Sequence, residues 1–350
     1  MTHIASRDLL KIYWFPALVT LSIWIFAAVW GGWGALFTVI ALTLLETTFS
    51  ADNAVVNSKV ITTMSLFWQK LFMTVGIFIA VFVVRFILPI AIVAVSIGAG
   101  FGETINLAFN DTHRYEQELA KAEPMISAFG GTFLAMIALS YFIDYEKKTH
   151  WLKFLERRLG KLGRFDNITT FLMLLAAIAL YFTVDPAHHA HVLIAAVAAM
   201  ALHIGLNLLS AVFDRDKDKL LSAKQKVGWS AFAAFMYLEV LDASFSLDGV
   251  IGAFALTGSI VLIMAGLGAG AVWVRAMTIH LVRAKALTKY AFLEHGAHWA
   301  IAFLSAVMLL KLYHVELPEW IVGTLGIGFI AVAIWWSKRT AVKADPAAHI

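Results

Sequence analysis

Two apolar stretches of this chain carry the same polar pattern: Leu45-Glu46-Thr47-Thr48-Phe49-Ser50-Ala51-Asp52-Asn53 and Leu241-Asp242-Ala243-Ser244-Phe245-Ser246-Leu247-Asp248-Gly249. Each reads acid-x-x-Phe-Ser-x-Asp inside a segment otherwise apolar enough to cross a membrane. An ionised carboxylate near a bilayer centre costs about 2.5–3.5 kcal/mol on insertion scales. Two such clusters need a compensating partner, and a bound cation is the simplest one. The donors on offer are carboxylate, hydroxyl and amide oxygens; the chain has no cysteine, and neither cluster holds a histidine. Oxygen-rich sites suit hard ions, Mn²⁺, Ca²⁺ or Mg²⁺, over Zn²⁺ or Cu⁺. The candidate metal ligands are Glu46, Ser50, Asp52 and Asn53 in the first cluster and Glu239, Asp242, Ser246 and Asp248 in the second. Their five carboxylates exceed the charge of one divalent ion. Two ions, or protonated carboxyls that exchange protons, both remain open. A hydrogen-bonded polar seam without transport is the plainer alternative, and the cost of unpaired buried carboxylates weighs against it.

At about 100° per residue a regular helix puts Glu46, Ser50 and Asn53 on one face, and Glu239, Asp242, Ser246 and Gly249 on another. Asp52 and Asp248 each fall about 120° off those faces. Either the helix is distorted at Ser-x-Asp, or each Asp faces a different neighbour. Gly249 and Gly252 favour distortion in the second cluster. Arg85 and Arg275, deep in other apolar segments, are candidate charge partners, against snorkelling or a fixed structural ion pair. Glu294, His295 and His298 open a further span as a candidate proton relay or metal-binding element; an interfacial hydrogen-bond network is the plainer account. Asp185 with His188, His189 and His191, on an outer loop, could catch a transition metal, with an incidental polar turn the plainer reading, and His203 with Asn207 reads as a helix-packing hydrogen bond.

These residues need long apolar helices to hold them. The chain has 350 residues, 61% of them hydrophobic and 14% charged, where soluble domains carry about 25% charged residues. That excludes an ordinary soluble domain and predicts one all-α, polytopic membrane helix bundle over residues 1–350. Ten spans are expected: 13–30, 34–57, 67–97, 125–143, 168–184, 189–211, 229–257, 259–282, 291–313 and 319–336. Basic residues gather in loops 144–167, 213–226 and 283–290 and in Lys338-Arg339, while the alternate loops, 100–124 among them, are acidic or neutral. The positive-inside rule places both termini and the basic loops in the cytoplasm of an inner or plasma membrane. Segment 100–124 is expected to lie on the outer surface and 144–167 on the inner one. The basic charge is an orientation signal, so nucleic acid is not an expected partner; the lipid bilayer and a metal ion are. Val83-Val84-Arg85 matches Trp273-Val274-Arg275, and Gly131-Thr132 with Ser140 matches Gly296-Ala297 with Ser305. Spans 2–4 and 7–9 therefore form a three-helix repeat, roughly 34–143 and 229–313. The loop charges make its halves inverted, a transporter design.

Glu46 to Asn53, Asp242 to Gly249 and Leu293-Glu294-His295-Gly296-Ala297-His298 resemble the TerC (tellurium-resistance C) family, over about residues 30–315. The His-containing element is similar to its long branch of uncharacterised membrane proteins. The resemblance implies membership of a larger group of LysE-type and cation exporters, several linked to manganese. It carries the acidic positions onto Glu46, Asp52, Asn53, Asp242 and Asp248. The extra spans and long basic loop depart from compact seven-span members, so neither substrate nor tellurium chemistry transfers with the name. The function expected is export of Mn²⁺, or Ca²⁺ as the alternative, with the ion as substrate and no resident cofactor. A membrane scaffold for a metal or tellurite stress-response complex, recruiting through loop 144–167, is the second hypothesis. An intramembrane aspartyl protease built on Asp52 and Asp248 is the third and weakest; the Gly-x-Gly expected before such an aspartate is missing, so no enzyme is assigned. Oligomeric state is left open.

Overall fold

The computed structural model describes residues 6–145, 147, 149–165, 167–214, 225–254 and 256–340. Of Phe49, Ser96, Leu247, Asp248 and a few residues at helix ends, only the backbone is described. The molecule is an all-α bundle. Its helices are α1 (Ser6–Phe49), α2 (Ala51–Thr62), α3 (Leu66–Phe78), a π-helical segment (Ile79–Ile87), α4 (Leu88–Ile97), α5 (Phe101–Asn110), α6 (Thr112–Phe142) and α7 (Lys153–Leu162). After them come α8 (Ile168–Thr183), α9 (His189–Asp214), α10 (Gly228–Phe254), α11 (Ile260–Arg283), α12 (Ala286–Lys289), α13 (Leu293–Lys311) and α14 (Glu319–Thr340).

Among the described residues eight helices are long and apolar enough to cross a membrane, and α8 is a shorter apolar helix. The first of the eight, Leu9–Thr48, is too long for one crossing, because about 20 residues suffice. It breaks at Gly32, whose φ of 72° and ψ of −165° suit only glycine. Contacts with α11 show the reversal. Before Gly32, Thr20 meets Trp273 and Tyr13 meets His280, so the two helices run antiparallel. After it, Leu42 meets Gly266 and Glu46 meets Gly270, so they run parallel. Gly31 to Gly34 thus turn a helical hairpin. Counting α1 as two and adding α8, the ten expected spans are present.

Two boundaries differ from expectation. Span 125–143 starts earlier: α6 begins at Thr112, where the Asp111 carboxylate accepts the Arg114 N–H at 3.2 Å. Its first turns are amphipathic: Tyr115 and Leu119 pack among Val250, Phe254 and Ile260, while His113, Arg114, Gln117 and Lys121 are exposed. Span 34–57 is interrupted at Ser50 and resumes as α2.

The close approach of α1 to α11 depends on Gly266 and Gly270, a small-xxx-small pair with no room for a Cβ against Leu42 and Glu46. Packing also follows the repeat. The second half of α1 and α2 lie on α11 as α10 lies on the π segment; α13 lies on α2 as α6 lies on α10; and α6 and α13 pack together. At one end of the bundle, α2 meets α13 through Lys59 and Glu294. At that same end Thr149 meets His295, the Phe292 N–H donates to Ser337, and Met64 pairs with Lys226. The basic segments 144–165, 283–290 and 338–339 therefore share one end, while 215–224 lie outside the described residues.

Candidate functional site

The two acidic elements meet in the middle of the bundle. The Asn53 amide donates to Asp242 Oδ1 at 3.0 Å. Seven residues earlier on one chain and seven later on the other, the Cβ that Gly249 lacks would stand 3.6 Å from Glu46 Oε2. The α1–α2 unit and α10 are therefore antiparallel and in register, and the equivalent spans of the repeat run in opposite directions.

The distortion falls where the glycines did not place it. α10 continues through Gly249 and Gly252, whereas α1 ends at Phe49 and Ser50 (φ −96°, ψ 16°) separates it from α2. The Ser50 hydroxyl donates to Glu46 Oε1 at 3.0 Å, tying the break to the carboxylate. The Asp52 carboxylate accepts the Asn53 N–H at 2.9 Å. Asp52 turns toward Gly326 of α14, so it faces a different neighbour from Glu46. Asp248 lies in α10, and its side chain is outside what is described.

Arg85 and Arg275 are buried, and both join the site. Arg85 Nη2 donates to Glu46 Oε1 at 2.5 Å, and Nη1 donates to the Ala80 carbonyl at 2.6 Å and lies 3.8 Å from Asp242 Oδ2. The wide π turn puts that carbonyl five residues back within reach. Arg275 grips Glu239 bidentately at 3.1 and 2.9 Å, donates to the Phe72 carbonyl at 3.1 Å, and lies 3.6 Å from Asp242 Oδ2. Its guanidinium sits 4.1 Å over the Phe72 ring. Gly76 leaves room for this pair. The result is a ladder, Glu46–Arg85–Asp242–Arg275–Glu239, with Asp242 shared between both arginines.

This ladder sets two guanidinium groups among the oxygen donors, as the charge-partner reading of Arg85 and Arg275 expects. Among the described residues no three His, Asp or Glu side chains converge as a ready-made metal site. The guanidinium groups stand where a cation would otherwise neutralise Glu46, Glu239 and Asp242. They also change the charge count. In this site there are four described buried carboxylates (Glu46, Asp52, Glu239 and Asp242) and two buried arginines, and Asp52 touches neither arginine. If all are ionised, two negative charges remain, the charge of one divalent ion. A cavity of about 50 Å³ touches Glu46, Ser50 and Asp52, enough for a few waters. It follows one face of α13, Ala300, Leu304, Val307 and Lys311, and the start of α14 at Val322, Gly323 and Gly326. Its lining extends to Lys311 and Leu317, at the end of the bundle away from α7. At the other end Ile61, Met64, Phe72, Ala234, Phe235 and Leu238 form a dry apolar cluster below the ladder.

Glu294, His295 and His298 belong to a separate network at that closed end. Glu294 pairs with Lys59. The His298 ring stacks on Tyr141 with centroids 3.7 Å apart. His295 Nε2 lies 2.8 Å from the Thr149 carbonyl and 3.4 Å from Glu156. Glu156, absent from the sequence-based candidates, is the centre. Fully buried, it accepts from the N–H groups of Trp151 (3.1 Å) and Leu152 (3.2 Å) and from Trp299 Nε1 (3.2 Å), and it is ion-paired with Lys147 at 3.2 Å. Burial pushes Glu156 up, but His295, Lys147 and those N–H groups outweigh it and leave it below the ordinary carboxylate value. Burial pushes Lys147 down. Its only advance signal was a lone acid among basic residues on an amphipathic helix. Elsewhere, Asp185 caps a short turn through the Ala187 N–H at 2.9 Å, and His203 bonds Asn207 within α9 at 3.0 Å rather than between helices.

A family model described as "Protein of unknown function (DUF475)" matches residues 51–343. The chain belongs to the DUF475 family. The match opens at α2, so it includes Asp52, Asn53, the arginines and the whole second acidic element, but not Glu46 or Ser50. No curated protein and no solved structure matches the chain.

Proposed function

We propose that this multi-pass membrane protein transports a hard divalent cation, Mn²⁺ first and Ca²⁺ second, through the site between α1–α2 and α10. The carrying observation is an arginine-braced cluster in which the described buried carboxylates outnumber the arginines, touched by a cavity on one side and bordered by apolar side chains on the other. Glu46, Ser50, Asp52, Asn53, Asp242, Ser246 and Asp248 supply the oxygens. Arg85 and Arg275 hold Glu46, Asp242 and Glu239 together until the cation competes for them. A dehydrating ion gains most where carboxylates already lie in low dielectric, and hard ions tolerate an all-oxygen set.

The resemblance of the acidic elements to the TerC family supplies the export direction, and the all-oxygen donor set supplies the preference for a hard ion. The positive-inside rule places the α7 end and both termini in the cytoplasm of an inner or plasma membrane. The cavity then opens to the exterior. No catalytic step is part of this proposal.

The test is flux in proteoliposomes with Mn²⁺, Ca²⁺, Mg²⁺ and Zn²⁺ in parallel. Mn²⁺ should move fastest, and Asp52→Ala or Asp248→Ala should stop it. Equal leak with and without protein for all four ions would end the proposal.

A further inference from the structure

Asn57 lies outside both acidic motifs, yet it extends them. Glu46, Ser50, Asn53 and Asn57 fall at helical spacing along α1–α2, so one stripe of side-chain oxygens descends past the site. Asn57 is buried, and its Oδ1 has no hydrogen-bond partner among the described residues; the same holds for Asn53 Oδ1, Ser246 Oγ and Asp242 Oδ2. The Asn53 amide orientation is fixed, because its NH₂ donates to Asp242, so its free oxygen is an acceptor. A buried carbonyl oxygen without a donor is unfavourable, and a folding role gives no reason to place several in one stripe. A hard cation would satisfy them together.

The antiparallel register fixes the level. With Asn53 opposite Asp242, Asn57 lies opposite Leu238, one turn beyond Asp242, level with the Glu239–Arg275 rung and at the edge of the apolar cluster of Ile61, Met64, Phe72 and Leu238. The cavity reaches Glu46, Ser50 and Asp52 but not Asn57. Among the described residues Asn57 Oδ1 is therefore a buried side-chain oxygen left without a donor at the edge of the seal, on the side that the cavity does not reach, while Glu239 at the same level is taken up by Arg275.

We infer that Asn57, with Asn53 and Asp242, forms a second, inner station for the transported divalent cation, occupied when the seal parts. This rests on the transport proposal and deepens it. A neutral amide suits the role: it replaces hydration oxygen without adding a charge that would trap the ion.

Three measurements on purified full-length protein test this: equilibrium Mn²⁺ binding in detergent, Mn²⁺ flux in proteoliposomes, and melting temperature. Asn57→Leu should leave equilibrium binding at the cavity within about twofold, lower flux at least tenfold, and raise the melting temperature, because it removes an unpaired buried polar group. Asn57→Asp, which keeps the oxygen, should retain flux and change the Mn²⁺ to Mg²⁺ ratio. Wild-type flux with unchanged flux in Asn57→Leu overturns the station alone. A lower melting temperature together with lower binding marks Asn57 as structural and overturns it too. Should Asn57→Leu not assemble, Asn57→Ala decides on the same flux criterion. No wild-type flux of any divalent ion overturns the transport proposal and the station with it.

Discussion

Asp242 is the residue on which the site turns, because both guanidinium groups approach its Oδ2, from 3.8 and 3.6 Å. Removing one member of a buried ion pair strands its partner and costs about 3–5 kcal/mol. Arg85→Ala strands Glu46 and exposes the Asp242 charge, so it should destabilise the protein by that order, read as a fall in detergent melting temperature. Arg85→Lys should rescue little, since a point charge cannot hold Glu46 and the Ala80 carbonyl in the fork that guanidinium provides. The double variant Arg85→Leu with Glu46→Leu removes both charges and should recover most of the stability while flux stays lost. A double variant that melts as low as Arg85→Ala would show that the pair is not the cause.

At the scale of elements, α7 is docked and not merely laid on a surface. Glu156 accepts from three N–H donors and pairs with Lys147 at the junction of α6, α7 and α13, and its carboxylate is held below the ordinary range. A lowered carboxylate pKa contributes stability that is fully present above the unfolded value, about 4.3, and is lost as pH falls through the lowered folded value. The melting temperature of the wild type should therefore exceed that of Glu156→Gln by a constant margin above about pH 5, and the margin should close below pH 4. A margin that grows on acidification would contradict this. Packing of α1 on α11 gives a second outcome: Gly270→Ala should cost about 1–3 kcal/mol by forcing Cβ onto Glu46 and the Thr43 carbonyl. The spans and both acidic motifs were legible in the sequence because apolar length and carboxylates in lipid carry large energies. The hairpin at Gly32 was marked by its glycines. A distortion at Ser-x-Asp was one of two readings open, but its place in the first cluster and the pairing of Glu156 were not legible, because each depends on partners distant in sequence, Arg85 for Glu46 and Trp299 for Glu156. The arginines were visible as residues, but their grip on Asp242 needed the antiparallel register.

For the whole molecule, the two ends differ in a way that labelling can read. The cavity runs from Asp52 to Lys311, while Ile61 and Leu238 are fully buried in the apolar cluster at the other end. A transporter with inverted halves must reach its second state by exchanging those roles, so that the seal opens and the cavity closes. The chain contains no cysteine, so single cysteines can be introduced without removing any. Leu304→Cys and Val322→Cys, on the cavity wall, should react with a membrane-impermeant maleimide from the Lys311 side only. Ile61→Cys and Leu238→Cys should react from neither side at rest. With a Mn²⁺ gradient driving turnover, the inner pair should become reactive from the α7 side while labelling of Leu304→Cys slows, because one population gains what the other loses. Simultaneous labelling of Leu304→Cys and Ile61→Cys from opposite sides, with no dependence on the gradient, would describe an open channel and exclude alternating access. Inner cysteines that stay silent during measured flux would place the path outside α2 and α10.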